Sequence, residues 1–223
     1  MCDTTDETFS DVVRALDSIK KSEYEYILMD NSWFDGVIHD WLGVSSSYRL
    51  KLPSLIEDDK VLYLDSDIAA VSDISELYIQ NIEDYYIGAI EDKCSDMMRV
   101  RVKLAEGEGP FVNGGVLLMN LKKFREDNLE EIIFEKLREK KFYTDQDVIN
   151  DICRNKILSL PLKYNLMYLR NNHFYKNRRE ELASAIESPV IIHYILKPWR
   201  GDALKGDIWL KYKEKLDGIL QKQ

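Results

Sequence analysis

The stretch KVLYLDSDIAAVSDISELY, residues 60–78, decides the fold. Its uninterrupted apolar run, VLYL, is typical of a strand that is buried in a parallel sheet. Two carboxylates, Asp65 and Asp67, follow this run directly. Because open α/β sheets bind ligands beyond the carboxyl ends of their strands, the pattern places paired negative charge at a ligand-binding edge. Ser72 and Asp73 then predict the capped start of a short helix over ISELY.

Helical and extended patterns alternate along the rest of the chain. Helical spacing predicts helices over residues 9–19, about 129–140 and about 207–220. A further helix is predicted over SSSYRLKLPSLI, where Pro53 stops or kinks it. Another is predicted over TDQDVINDIC, with Thr144 or Asp145 as its cap. Apolar runs predict strands in YEYILMD, YIGAIED, KILSLP and PVIIHY, whereas FVNGGVLLMNL predicts a turn followed by a strand. This alternation predicts an α/β fold, a mainly parallel sheet with helices on both faces. We expect a single domain over residues 1–223, with residues 196–223 as a C-terminal tail and helix.

Composition excludes several classes of protein. The chain has 223 residues, 45% of them hydrophobic, and a net charge of -9, so it has no general field that would attract nucleic acid, and no nucleic-acid partner is expected. Cys2, Cys94 and Cys153 are an odd number without metal-type spacing, which predicts free thiols in a reducing compartment. No apolar run approaches the roughly 18 residues of a membrane span, and the N-terminus is acidic. These features predict a cytoplasmic protein.

The candidate site begins with Asp65 and Asp67. At a spacing of two, both can present hard oxygen ligands to Mg²⁺ or Mn²⁺, and the alternative is a turn in which the aspartates cap backbone amides. His193 ends the apolar run PVIIHY and would reach the same edge of the sheet, unless it is a packed, hydrogen-bonded histidine. Lys197 follows shortly after, and its ammonium group either reaches a metal-bound anion or stays a solvated surface charge.

Five ordered blocks carry a resemblance to a known family. They are KVLYLDSDIAAVSDISELY, FVNGGVLLMNLKKFRE, FYTDQDVINDI, KILSLPLKYNLM and PVIIHYILKPW. In this order and at these intervals they resemble glycosyltransferase family 8, the retaining enzymes that include bacterial lipopolysaccharide glucosyl- and galactosyltransferases and glycogenin. The similar region runs from about residue 48 to residue 199, which is most of the chain.

The resemblance implies a type A glycosyltransferase fold, Rossmann-like, that uses Mn²⁺ or Mg²⁺ and a UDP-hexose. By the family pattern Asp65, Asp67 and His193 bind the metal, and Lys197 contacts the diphosphate. The remaining donor-binding residues that it implies are Arg49, Ser66, Asn113 and Gly114, and the pair nearest the reacting carbon is Asp145 and Gln146.

Retention of configuration constrains the role of this last pair. Gln146 is a poor nucleophile, so we favour attack from the face that the nucleotide leaves, with the Gln146 amide oxygen stabilising oxocarbenium-like charge and Asp145 orienting sugar hydroxyls. Two plainer interpretations remain open from the residues alone. TDQD is also a good helix start by capping, and NGG is also typical of a turn that needs a positive φ.

The sequence departs from the family pattern in two places. Only three residues separate His193 from Lys197, where the family has a longer loop with a glycine, so part of the diphosphate contact is expected to differ. No strand precedes Phe9, although the family begins with a strand and a loop that holds the uridine. The expectation is therefore an N-terminally shortened type A fold.

The leading hypothesis is a metal-dependent hexosyltransferase that moves glucose or galactose from a UDP-sugar to a glycan or lipid-linked acceptor with retention. One alternative is a haloacid dehalogenase-like phosphatase, although Ile68, Ala69 and Ala70 stand where that class has a small flexible pair. Another is a non-catalytic or truncated glycosyltransferase-like binding domain. The basic C-terminal helix either packs on the domain with its lysines solvated or makes peripheral contact with an anionic membrane at its inner face.

Overall fold

A computed structural model describes residues 23, 25–37, 44–92, 98–100, 102–103, 109–139, 144–167, 175, 178–195, 198 and 205–221. The helix predicted over residues 9–19 lies outside these residues. The chain divides into two compact units, of which one is Gly36–Ile195 and the other combines Met1–Asp35 with Leu196–Gln223. The described site residues all belong to the first unit.

A four-stranded sheet forms the centre of the first unit. Its strands lie in the order β1-β4-β3-β5, and the bounds are β1 Lys60–Leu64, β3 Ile87–Glu91, β4 Val112–Asn120 and β5 Ile157–Ser159. Strands β1, β3 and β5 run in one direction, because β1 and β3 are both antiparallel to β4 and β3 is parallel to β5. The predicted mixed α/β fold with a mostly parallel sheet is therefore confirmed, and β4 is the strand that runs against the others.

A second sheet joins two short strands, β2 Ile68–Ala70 and β6 Ile191–His193, in antiparallel register. Ile68 pairs with His193, and the Tyr194 amide donates to the Asp67 carbonyl at 2.8 Å. This pairing brings the end of β6 to the loop that follows β1. Two segments that are more than 120 residues apart in sequence thus meet at one edge of the fold.

The helices predicted within the described residues are present, two further helices at Leu121–Glu126 and Arg179–Glu187 were not predicted, and two local predictions are exceptions. Their bounds are α1 Leu52–Leu55, α2 Ser75–Tyr78, α3 Leu121–Glu126, α4 Leu129–Arg138, α5 Asp145–Cys153, α6 Arg179–Glu187 and α7 Gly206–Leu220, with 3₁₀ turns at Asn31–Phe34, Ser45–Lys51 and Leu162–Tyr164. The first exception is Pro53, which was expected to stop or kink a helix. It lies in the first turn of α1, where its missing N–H has no intrahelical partner to lose, so it starts the helix.

The second exception is YEYILMD, for which the strand prediction is wrong. Among its described residues only Leu28 makes a single bridge. Asp30 instead caps the 3₁₀ turn Asn31–Phe34 by accepting from the Ser32 amide at 2.9 Å. The local cap therefore outweighs the extended preference of the apolar residues before it.

Strand β4 corrects the prediction of a turn at NGG. The strand includes Asn113, Gly114 and Gly115, although its register with β3 shifts here, from Ala89 opposite Leu117 to Ile90 opposite Asn113. Positive φ angles among the described glycines occur only at Gly36 and Gly109. Its first eight residues are buried. Because neighbouring residues of a strand point to opposite faces, both faces of the sheet are covered at β4.

None of the helices in the described part of the chain is long and apolar enough to cross a membrane. Cys153 is a free, buried cysteine, and burial raises the pKa of its thiol. Cys2 and Cys94 lie outside the described residues.

Candidate functional site

Three potential metal ligands meet where β1 and β6 end. Asp65 follows β1, Asp67 precedes β2, and His193 is the last residue of β6. Their ligand atoms all lie within 4.8 Å of one another. His193 Nε2 is 3.1 Å from Asp67 Oδ1 and 3.9 Å from Asp65 Oδ2. Two carboxylates and one imidazole thus face a common point, which is a donor set that suits a divalent cation.

Gly115 of β4 leaves the space in which these ligands meet. The Asp65 amide donates to the Gly115 carbonyl at 2.9 Å, which draws the acidic loop close to β4. A Cβ atom on Gly115 would lie 2.3 Å from His193 Cε1 and 2.9 Å from Asp65 Oδ2. The site therefore requires glycine because of a close approach, and not because of a positive φ. Sequence reasoning missed this role, although the NGG motif was its signal.

Arg49 is a buried cation behind the acidic loop. Its Nη2 lies 3.1 Å from Asp65 Oδ1, and its Nε lies 3.0 Å from Asp145 Oδ2. Its Nη1 donates to the Gly114 carbonyl. The guanidinium carbon lies 4.6 Å from the centre of the Tyr63 ring, a cation–π arrangement. Arg49 thus connects the loop after β1, strand β4 and the start of α5.

Tyr63 and Arg49 together hold one oxygen of Asp65. The Tyr63 hydroxyl donates to Asp65 Oδ1 at 2.7 Å, so Asp65 Oδ2 is the oxygen that faces His193. Burial raises the pKa of Tyr63, and the nearby Arg49 opposes that shift. Tyr63 therefore stays a protonated hydrogen-bond donor at neutral pH. This role has no signal in the sequence, because Tyr63 lies within an ordinary apolar strand.

Asp145 is a nearly buried carboxylate at the start of α5. Burial raises its pKa, whereas the positive charge of Arg49 lowers it, and the net shift is upward. The Arg49 Nε–H points at the Ser46 carbonyl, 2.7 Å away. Asp145 Oδ2 consequently has an ionic neighbour but no directed hydrogen bond from any described side chain. This oxygen keeps its capacity to accept a hydrogen bond.

Helix α5 begins with a capping box that fixes Asp145 and Gln146. Thr144 accepts from the Asp147 amide at 3.1 Å, and Asp147 accepts from the Thr144 amide at 3.0 Å. Thr144 is therefore the cap, which settles the choice between Thr144 and Asp145. The capping interpretation of TDQD is confirmed, and the cap places the first turn of α5 beside β4.

Gln146 is hydrogen-bonded to strand β4 and to Asp92 at the end of β3. Its Oε1 accepts from the Gly114 amide at 2.9 Å and from Asn113 Nδ2 at 3.3 Å. Its Nε2 lies 3.4 Å from Asp92 Oδ2, which also accepts from Asn113 Nδ2 at 3.1 Å. Asp92 is buried and was not predicted as a site residue. The amide plane of Gln146 is thus fixed by contacts on both sides.

Of the two other predicted donor-binding residues, the structure describes Ser66 and does not describe Lys197. Ser66 lies exposed in the turn between Asp65 and Asp67. Lys197 lies outside the described residues. Among the described residues, the site combines four carboxylates, Asp65, Asp67, Asp92 and Asp145, with the single guanidinium of Arg49. The excess of negative charge favours binding of a cation.

Comparisons with known proteins give the family context of this site. The model of the family described as glycosyl transferase family 8 matches residues 10–203. Glycosyltransferase GlyF of Streptococcus pneumoniae serotype 4 is 27% identical over 180 residues, which are 78% of this chain and 42% of that protein. The lipopolysaccharide 1,2-glucosyltransferase of Escherichia coli is 30% identical over 151 residues, which are 63% of this chain and 44% of that protein. The chain spans about two fifths of the length of these curated relatives.

A solved structure shares the fold. The galactosyltransferase LgtC, solved in complex with donor and acceptor sugar analogs, superposes with a TM-score of 0.67 at 23% identity. The match covers 89% of this chain and 74% of LgtC. At this identity the likeness concerns the fold alone, and it confirms the expected glycosyltransferase type A class.

Proposed function

The chain belongs to glycosyl transferase family 8, and from this membership we propose that it is a metal-dependent hexosyltransferase. It would move glucose or galactose from a UDP-sugar to a glycan or lipid-linked acceptor, with retention of configuration. The observation that carries the proposal is the convergence of Asp65, Asp67 and His193 on one point. Family membership favours this activity over the phosphatase alternative, which shares only the two aspartates after a strand.

Asp65, Asp67 and His193 would hold the cation. The donor set favours Mn²⁺ over Mg²⁺, since imidazole nitrogen is a ligand that suits transition metals. Gly115 allows His193 and Asp65 to approach the β4 backbone more closely than any side chain there would permit. A bound dication stabilises the negative charge that develops on a leaving diphosphate, without a proton transfer. Lys197 would add a second positive charge at that diphosphate.

Arg49 and Asp145 would bind the hexose. Asp145 Oδ2 is buried against Arg49, and the Asp145 carboxyl group would orient sugar hydroxyls, as the family pattern implies. Arg49 holds that carboxyl group in place through its 3.0 Å contact and opposes the upward pKa shift that burial causes. Asn113 and Gly114 would line the same pocket from β4, and Ser66 would contact the donor from the turn.

Gln146 would face the carbon from which UDP departs. Its Oε1 is held by the Gly114 amide at 2.9 Å and by the longer Asn113 contact at 3.3 Å. If the Asn113 amide no longer donated to Gln146 Oε1, a lone pair of that oxygen would be free to stabilise positive charge on the sugar ring. An amide is neutral and a poor nucleophile, so Gln146 supports attack on the same face from which the nucleotide leaves.

Release of UDP from a panel of UDP-hexoses, with Mn²⁺ and with chelator, tests the proposal. We expect Mn²⁺-dependent release from UDP-glucose or UDP-galactose, and a loss on the order of 100-fold or more in Asp67→Asn, because transition-state charge then loses its main stabiliser. Asp59→Asn is the matched control, since the Asp59 side chain is 72% exposed and contacts Arg125 at 3.4 Å. Equal turnover in Asp67→Asn and Asp59→Asn would refute the assigned site.

The acceptor and the membrane contact stay predictions. Helix α7 exposes Leu210, Tyr212 and Leu216 beside its lysines, a composition that is compatible with an anionic surface. Co-sedimentation of the full chain with anionic vesicles, compared with neutral vesicles, tests that contact.

A further inference from the structure

A chain of buried hydrogen bonds links strand β4 to His193. The Gly115 amide donates to Asn113 Oδ1 at 2.9 Å, and Asn165 Nδ2 donates to the same oxygen at 2.9 Å. Asn165 Oδ1 lies 2.9 Å from His193 Nδ1. Asn165 is fully buried, and Asn113 and His193 are each 7% exposed. The imidazole is therefore held from behind by buried Asn165, which Asn113 holds in turn.

The orientation of Asn113 follows from its two neighbours of fixed chemistry. A backbone N–H can only donate, so the Asn113 atom that faces the Gly115 amide is the oxygen. A carboxylate can only accept, so the Asn113 atom 3.1 Å from Asp92 Oδ2 is the nitrogen. Both neighbours require the same amide orientation, which removes the usual ambiguity between the two atoms.

The orientation of Asn165 follows from that of Asn113. Asn113 Oδ1 can only accept, so the Asn165 atom that faces it is the NH₂ group. The Asn165 oxygen therefore faces His193 Nδ1. Since a carbonyl oxygen cannot donate, His193 Nδ1 must carry the hydrogen. In the neutral ring the lone pair is then on Nε2, the nitrogen that lies 3.1 Å from Asp67 Oδ1.

The main chain fixes Asn165 in this position. The Leu166 amide donates to the Ile191 carbonyl at 2.9 Å, and the His193 amide donates back to the Leu166 carbonyl at 3.1 Å. The segment after the 3₁₀ turn Leu162–Tyr164 thus runs beside β6. The backbone of Asn165 cannot move away from the imidazole without breaking this pairing.

We propose that Asn165 is a positioning residue that selects the Nδ1–H tautomer of His193 and directs the Nε2 lone pair toward Asp65 and Asp67. The proposal rests on the proposed function for the identity of the group bound there, a divalent cation. In an unconstrained imidazole either nitrogen can carry the hydrogen. The Nε2–H form would direct a hydrogen at the carboxylates and leave no lone pair for a cation.

The first test reads the tautomer directly and needs no variant. Nitrogen-15 NMR of the histidine rings in the full chain, at alkaline pH and without metal, reports which nitrogen is protonated. The His193 signals are assigned by their loss in His193→Gln, which separates them from those of His39 and His173. We expect a protonated Nδ1. An unprotonated Nδ1 would overturn the proposal, whatever the enzyme activity is.

The second test measures Mn²⁺ affinity, from the free-Mn²⁺ signal in electron paramagnetic resonance, with Mn²⁺ alone as the probe. Asn165→Leu keeps a similar volume and removes both amide groups. We expect its Mn²⁺ affinity to fall about 10- to 100-fold, the effect typical of groups that orient a ligand, and Nε2 protonation to appear in its spectrum. The readout is independent of UDP-sugar turnover, so failure of the proposed function does not alter it.

Asn120→Ala is the matched control. Asn120 lies at the other end of β4, where it caps α3 and donates to the Ile82 carbonyl at 3.0 Å. Its loss lowers stability without touching His193, so Mn²⁺ affinity and the tautomer should not change. A folded Asn165→Leu protein that binds Mn²⁺ like Asn120→Ala and keeps Nδ1–H would contradict the proposal. If Asn165→Leu does not fold, the wild-type spectrum still decides it.

Discussion

Gly115 shows how one missing side chain makes room for a site. The residue sits in the middle of a buried strand, where glycine normally weakens packing. Its compensation is the close approach of the Asp65 loop and the His193 ring to the backbone of β4. The space that a methyl group would occupy is taken up by the His193 ring and Asp65 Oδ2.

Gly115→Ala should therefore weaken Mn²⁺ binding at least tenfold. The added Cβ would lie 2.3 Å from His193 Cε1, so the imidazole must shift away from the aspartates, and overpacking also costs about 1–3 kcal/mol of stability. Gly218→Ala is the control, because a Cβ there meets nothing within 4 Å and alanine favours the helix. Isothermal titration with Mn²⁺ measures the affinity of both variants. Equal Mn²⁺ affinities in Gly115→Ala and Gly218→Ala would refute the packing argument.

Loss of Arg49 should cost far more stability than loss of an exposed ion pair. Arg49→Met leaves the Asp145 carboxylate buried without its cation, and breaking such a pair costs about 3–5 kcal/mol. Lys213→Met, which breaks only the exposed pair with Asp217, should cost under about 1 kcal/mol. Urea unfolding compares the two variants.

The stability that Arg49→Met loses, measured as the drop in its free energy of unfolding relative to wild type, should also depend on pH. Burial already raises the pKa of Asp145, and losing Arg49 raises it further. A raised pKa in the folded state gives stability that is present at low pH and lost as the pH rises through that pKa. The deficit should therefore be smaller at pH 5 than at pH 7.5. A deficit that is larger at pH 5 would show that Asp145 is not the group left unpaired.

At the scale of elements, β4 and α5 organise the site together. Asn113, Gly114 and Gly115 come from β4, and Asp145 and Gln146 come from the first turn of α5. The Thr144 capping box sets where that turn begins. The metal ligands, in contrast, lie on β6 and on the loop between β1 and β2. The first turn of α5 supplies none of the three candidate metal ligands, so a change in its cap tests its contribution to turnover apart from metal binding.

Thr144→Ala should impair UDP-sugar turnover without impairing metal binding. Loss of the cap costs about 1 kcal/mol and loosens Asp145 and Gln146, so UDP-sugar turnover should fall several-fold while Mn²⁺ affinity is retained. Asn120→Ala removes the cap of α3 at a similar cost in stability and should keep full turnover. Steady-state kinetics and Mn²⁺ titration of both proteins distinguish the outcomes. Equal turnover in the two variants would show that the cap of α5 does not position residues for the reaction.

Local signals in the sequence predicted elements well and long-range contacts poorly. The run VLYL with its aspartates, the Thr144 cap and the helix at Gly206–Leu220 were all recognisable, because each depends on neighbouring residues. NGG was predicted as a turn, because a glycine pair in a strand makes sense only when His193 and Asp65 approach it. The 3₁₀ turn after Asp30 replaced a predicted strand, since one cap outweighed a short apolar run.

At the scale of the whole molecule, the site depends on contacts between distant segments. Asn165 meets Asn113 across 52 residues and His193 across 28. No periodicity in the sequence encodes such pairs, so Asn165, Tyr63 and Asp92 could not be assigned from the residues alone. The family pattern predicted the ligand set as a group, because it records which distant residues act together, but not the residues that support them.

The central claim is that one divalent cation binds between Asp65, Asp67 and His193. Anomalous diffraction from crystals of the full chain grown with Mn²⁺ and UDP tests it most directly. The account predicts a manganese peak within coordination distance of His193 Nε2, Asp65 Oδ2 and a carboxylate oxygen of Asp67, and no such peak in Asp67→Asn crystals. A manganese peak elsewhere, or one that persists unchanged in Asp67→Asn, would contradict it.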